Sequence, residues 1–238
     1  MLCNKCKIKT FSINRQIHQI ANMAFIPAHG NHKLLNTKFY SLQKGDWPKD
    51  GKHILAQYDE KTIVVYQAFN PSIAEYAVSH QRFGGNFSFQ RMSWIKTNFL
   101  WMMYRCGWAQ KPNQERILAV KIPREHFDTI LKHAYTAELQ KSMGLTKDDI
   151  MVRLQWDPDH SPKGEKLARR AIQLGLKGKI LKNYATDWIV QINDITDFVK
   201  EQYQILSTKG ECHLSLPLEE VYKVENSEIR VRIRSDPY

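Results

Sequence analysis

The sequence predicts an α+β fold: a single compact domain with a mixed or antiparallel sheet and packed helices. Three observations predict it. Runs rich in β-branched and aromatic residues, among them "KTIVVYQAF" and "IMVRLQWDP", read as strands. Segments with apolar residues at helical spacing lie between them, without the regular alternation of a doubly wound sheet. A hydrophobic content of 42% with 25% charged residues over 238 positions fits a globular chain able to bury a sizeable core.

In chain order, "GDWPKDGKH" (45–53) is punctuated by Gly and Pro and reads as an entry turn. Residues 61–69 predict a buried strand that stops at Asn70-Pro71. Pro71 suits a first helical position, and Ile73, Ala77 and Val78 continue at helical spacing. "FGGNF" and "KPNQ" are turns, and Gly107 closes the segment between them. "ERILAVKIP" (115–123) predicts a half-buried strand, and "REHFDTILKHAYTAEL" one helix. Residues 150–158 predict a strand halted by Pro158. "EKLARRAIQLGL" is short and either helical or extended, and "YATDWIVQINDITDFVKEQYQIL" begins as strand and ends as helix. The domain is expected over 46–222, with a charged tail over 223–238.

The net charge of +11 is unevenly placed. Residues 1–45 hold seven Lys/Arg and no acid, which predicts a basic, disordered extension. The rest carries 28 basic against 24 acidic residues. Two blocks within it, 91–124 and 161–184, are each +6 and mark where an anionic partner would dock. No run approaches the roughly 18 apolar residues that span a bilayer, so a soluble, cytoplasmic protein without a membrane partner is expected. An acid-free opening also has transit-peptide composition, which would direct the chain to the mitochondrial matrix. Four scattered cysteines give no disulfide framework, and Cys3-x-x-Cys6 lacks a second pair at zinc spacing.

The stretch "RMSWIKTNFLWMMYRCGW" (91–108) carries half of the six tryptophans. On one helix at about 100° per residue, Trp94, Asn98, Trp101, Arg105 and Trp108 share an arc of about 80°. Ile95, Phe99, Met102 and Cys106 form an adjacent apolar stripe. The first stripe suits stacking on a planar group with phosphate neutralised alongside; packing of the tryptophans in a core is the competing reading.

The blocks "TIVVYQAFNPSIAEYAV", "RMSWIKTNFLWMMYRCGWAQKPNQERILAVKI", "VRLQWDPDH", "RRAIQLGL", "WIVQINDIT" and "LPLEEVY" resemble, in order, those of the family called domain of unknown function 4291. The similarity covers residues 53 to 222 and implies no particular reaction. The family pattern has Pro-Ser where this chain has Thr97-Asn98, which implies that the helix starts there and that "RMSWIK" precedes it as strand or loop. It has Arg at His160, which implies weaker or pH-dependent phosphate contact here if that arginine binds phosphate. The order of elements also looks loosely like the start of ADP-ribosyltransferase folds. That likeness implies NAD as a possible cofactor, Gln67 on its ribose, and Glu115 or Asp157 as the orienting acid.

The expected function is binding of a phosphorylated planar ligand, a nucleotide or RNA end, with possible transferase chemistry. Gln67, Glu115 and Asp157 are the candidate catalytic residues. Arg91, Lys96, Arg105, Lys111, Arg169 and Arg170 are the candidate phosphate contacts, Trp101 and Trp108 the stacking planes, and Gln155 and Gln173 further ligand contacts. A non-enzymatic nucleic-acid module and a structural protein are the alternatives. No metal is expected, although Asp157, Asp159 and His160 lie close in sequence. No phosphate-binding glycine loop, nucleophile elbow or zinc-protease motif is present.

Overall fold

The computed structural model describes residues 35–237. β1 (Thr37–Phe39) and α1 (Tyr40–Gln43) come first, then β2 (Leu55–Ala56) and β3 (Thr62–Phe69). α2 (Pro71–His80) starts on Pro71, and the Asn70 side chain accepts the Ile73 N–H as its cap. The tryptophan-rich stretch divides into β4 (Ser93–Lys96) and α3 (Phe99–Cys106). β5 (Arg116–Pro123), α4 (Arg124–Lys132), β6 (Ala134–Tyr135) and α5 (Ala137–Ser142) follow. β7 (Val152–His160) and β8 (Lys166–Leu176) make a long hairpin, succeeded by α6 (Gly178–Thr186), β9 (Gln191–Asp194) and α7 (Thr196–Lys209). A 3-10 turn, β10 (Ser215–Pro217), β11 (Glu220–Val221) and α8 (Ser227–Ile233) complete the described chain.

Seven strands form one sheet in the order β6-β7-β8-β4-β3-β5-β9. Every neighbouring pair is antiparallel except β6–β7, so the sheet is mixed and the fold is α+β. β3 pairs with β5 over its whole length, but with β4 through only one opposed pair, Tyr66 and Lys96. The Gln67 side chain bridges that seam, donating from Nε2 to Ser93 Oγ (2.9 Å) and to the Trp94 carbonyl (3.2 Å).

Several expectations are corrected. Residues 37–43 belong to the fold: β1 pairs with β10, and Tyr40 and Gln43 are buried, so the domain begins before residue 46. The expected extension otherwise falls on residues 1–34, outside the described residues. The C-terminal segment is no tail, because Ile229 and Ile233 of α8 are buried and the Asp236 carboxylate accepts the Lys52 N–H. Its charged residues line the outer side of an amphipathic helix. The helix expected after Pro123 breaks at His133; Ala134 and Tyr135 join β7, and Thr136 caps a second helix. Pro158 does not stop β7. It stands opposite Arg170, whose N–H points to Gly51 O, so the ladder asks no N–H of Pro158.

Successive side chains of a strand point to opposite faces. One face of the sheet, bearing Ile63, Val65, Ile95, Val120, Leu154 and Leu174, is apolar throughout and packs against α2, α4, α6 and α8. The other face is divided. Over β3 and β5, Val64, Tyr66, Ile117 and Ala119 join a second core with α3 and α7. Over β4, β8 and β7 that face turns polar.

Candidate functional site

Strand registers order the polar half-face into rows. Trp94 stands beside Gly175 and Arg153, Lys96 beside Gln173 and Gln155, and Ala171 beside Asp157. Gln155 is exposed, while Trp94, Gln173 and Asp157 are half-buried, so the surface is a trough rather than a closed cavity. Gly175 forms its floor: a Cβ there would come within 2.5 Å of Met92 Sδ and 3.0 Å of Trp94 Cε2. Only the missing side chain lets the Trp94 indole lie across the sheet.

The amides of the middle row are locked. Gln173 Nε2 donates to Asp157 Oδ2 (2.5 Å) and to Gln155 Oε1 (3.0 Å). A carboxylate can only accept, so both amide orientations are fixed by Asp157, leaving the Gln155 Nε2 protons for another partner.

Lys96 stands at the centre. It is only 5% exposed, yet its ammonium makes no hydrogen bond or ion pair among the described residues. Burial pushes its pKa down to about 8, the Arg105 guanidinium adds to the depression, and the Asp157 carboxylate opposes it. Arg105, exposed on the last turn of α3, is therefore a second cation whose field reaches the same amine. The buried hydroxyls of Tyr66, opposite Lys96 in register, and Thr97, next in the chain, also lack a partner among the described residues. Buried polar groups are ordinarily satisfied, and an unpaired amine on a largely buried side chain marks a place suited to an anion.

The loop after Lys96 is held rigidly. Asn98 caps α3 by accepting the Trp101 N–H (2.7 Å), and its amide donates to Glu219 Oε2 (3.1 Å). Glu219 Oε1 accepts the Phe99 N–H (2.6 Å), and burial raises the pKa of this carboxyl well above the usual range. The family's proline position thus marks the helix start correctly, within two residues, and β4 precedes it.

Lys96, Gln155, Asp157, Gln173 and Arg105 are brought together; the other expected site residues are not. Gln67 points to the opposite, apolar face, where its Oε1 accepts from Tyr184 Oη (2.7 Å), so every polar atom of the side chain serves the seam. Glu115 lies in the turn before β5, accepting the Asn113 N–H, and not in the polar rows. Arg91 is exposed ahead of β4. Trp101 is buried in a parallel stack with Tyr104 and His160, whose rings are 3.5 Å apart. Trp108 is buried against Phe99 and Tyr203. Both indoles are buried in packing contacts, away from the polar rows. Lys111 caps α3, donating to the Arg105 carbonyl (2.8 Å). Arg169 is buried, paired with Asp159 (2.5 Å) and laid over Trp47. Arg170 is exposed, and alternation turns its side chain from the Gln173 face.

Asp157, Asp159 and His160 have separate partners, Gln173, Arg169 and the Tyr104 ring, and the ladder shifts between Pro158 and His160. Among the described residues, no three His, Cys, Asp or Glu side chains gather as a metal site. Gly175 is the residue that sequence reasoning missed, and Trp94, expected on a helical stripe with Trp101 and Trp108, stands instead on the strand face of Lys96. The signal was present as two-residue alternation in "SWIK" and "IQLGL", which puts Trp94 with Lys96 and Gly175 with Gln173.

No helix among the described residues is long and apolar enough to cross a membrane. No curated protein matches the chain. The model of one family, described as Domain of unknown function (DUF4291), matches residues 53–222, a span holding β3 to β9, the trough and Glu219. The chain belongs to that family.

Proposed function

We propose that the trough binds a phosphorylated planar ligand, a nucleotide or an RNA end, with phosphate held between Lys96 and Arg105. The observation that carries this reading is Lys96: a side chain only 5% exposed, whose ammonium has no acceptor among the described residues and lies in the field of a second cation, Arg105. Burying an unpaired charge is costly, and a bound anion is the direct way to offset that cost. Trp94 takes the stacking role, since its half-exposed indole shares the face with Lys96. Gln155 Nε2 and the second Asp157 oxygen are the polar atoms left to orient the ligand. A transferase using NAD would have to rely on Asp157, because Gln67 serves the other face.

Titration calorimetry of the full chain with mononucleotides and short single-stranded RNAs, over a range of salt, tests the reading. A single phosphate group between two cations gives a log–log salt slope of about −1 to −2. A non-enzymatic nucleic-acid module gives a slope that steepens with RNA length, by about 0.7 per phosphate contacted. Binding unchanged in both Lys96→Met and Arg105→Gln rejects the site.

A further inference from the structure

We propose that Lys96 is the nucleophile of this site, its Nζ condensing with the carbonyl carbon of a phosphorylated aldehyde or ketone to form an imine. This rests on reading the trough as a phosphate-binding surface, and it narrows the ligand to one that also bears a carbonyl.

Four observations carry it. The side chain is only 5% exposed, so its charged form has lost much of the hydration that would hold it protonated. No hydrogen bond or ion pair engages it among the described residues, which leaves its lone pair free once the proton is gone. The acid whose field reaches it, Asp157, is turned onto Gln173 Nε2 instead of forming a salt bridge with it. The field of a second cation, Arg105, reaches the amine, and such a field favours the neutral, nucleophilic form near neutral pH. With a pKa of about 8, on the order of a tenth of the amine is neutral at pH 7, far more than for a solvated lysine. Arg169, equally buried, has its charge met by Asp159 and cannot serve in this way.

The step balances with no further reactant than a solvent proton. Neutral Nζ adds to the carbonyl carbon, the carbon–nitrogen bond forms, and the π pair moves to oxygen. The proton shed by nitrogen passes through the Asp157 carboxylate to that oxygen, giving the neutral carbinolamine. A proton from solvent then joins the hydroxyl, and water leaves as the nitrogen lone pair closes the carbon–nitrogen double bond. Amine, carbonyl and one solvent proton thus give protonated imine and water, with no change in oxidation state.

The full chain is incubated with pyridoxal 5′-phosphate, reduced with sodium borohydride, and mapped by peptide mass spectrometry. The expected result is a single pyridoxyl group per chain, on the peptide holding Lys96, absent in Lys96→Arg. Arg105→Gln slows labelling by about tenfold, the loss of one charge-assisted phosphate contact. Pyridoxal without phosphate labels Lys96 slowly in both backgrounds. Circular dichroism melts confirm that the variants fold. Label scattered over surface lysines with Lys96 unmodified overturns the proposal. So does labelling of Lys96 no faster with pyridoxal 5′-phosphate than with pyridoxal. The two readings fail separately. Nucleotide binding to wild type with no trapped imine rejects the nucleophile and keeps the phosphate site. A trapped imine with no nucleotide binding keeps the nucleophile and rejects a nucleotide as the ligand.

Discussion

Two cations are buried on the same face of one sheet, on neighbouring strands, and the fold treats them in opposite ways. Arg169 on β8 has its guanidinium on the Asp159 carboxylate, a second N–H on the Pro48 carbonyl, and its plane over Trp47. Lys96 on β4 is as little exposed and has none of these among the described residues. A planar, forked cation that is fully met is part of the architecture. A point charge that is not met is held against its own solvation, and the surrounding fold must cover that deficit.

Breaking the met cation should have the largest effect. Arg169→Leu strands a buried carboxylate and should cost about 3–5 kcal/mol in urea unfolding. Adding Asp159→Asn should recover part of the loss; a single variant as stable as wild type would mean that the pair contributes nothing.

Lys96→Met should move the other way. The pKa of about 8, against 10.5 for a free lysine, makes the variant about 3 kcal/mol more stable at pH 7. The sign follows from proton counting. Between pH 8 and 10.5 the unfolded chain holds more protons than the folded one, so wild-type stability rises through that window. The Met variant should lack this rise. A Lys96→Met protein less stable than wild type at pH 7, with an unchanged pH profile, would show that the amine is satisfied after all.

Gln67→Ala attacks the seam beneath Lys96 from the apolar face. It leaves the Tyr184 hydroxyl and the Trp94 carbonyl without their partner and should cost about 2 kcal/mol. Ligand affinity at the trough should fall little if the two faces are independent, which calorimetry would read directly.

Gly175→Ala should be the mildest, about 1 kcal/mol, because the flexible Met92 can give way while the indole cannot. Its signature is a shift in Trp94 emission with the Arg169 end untouched. Unchanged emission would place the indole elsewhere.

Much of the architecture was legible in the residues. The Asn70-Pro71 junction named its own cap and first helical turn, and the strand runs at 62–69 and 116–123 carried their type in their side chains. The site was legible as a set of residue types and not as an arrangement. One helical wheel over 94–108 put Trp94, Trp101 and Trp108 together, whereas the chain changes from a period of two to a period of 3.6 at Asn98. After that change Trp94 follows Lys96, and Trp101 follows the core. Gln67 and Arg169 show the other limit. A buried amide or guanidinium looks the same in sequence whether it faces a ligand or a neighbouring strand. Only distant partners, Tyr184 and Asp159, decide between them. The segment after residue 222 was misread for a related reason, since its two buried isoleucines are sparse among charges.

The seam between β3 and β4 bears on how the sheet breathes. Strands β6-β7-β8-β4 and β3-β5-β9 are each laced by ladders, while across the line between them the sheet has a single opposed pair and one glutamine amide, above an apolar core that both sets share. Amide protons on the two sides should therefore exchange with solvent as separate cooperative units, each with its own opening free energy. Lys96 belongs to the joining pair itself, so whatever its amine holds is held at the line along which the molecule would part.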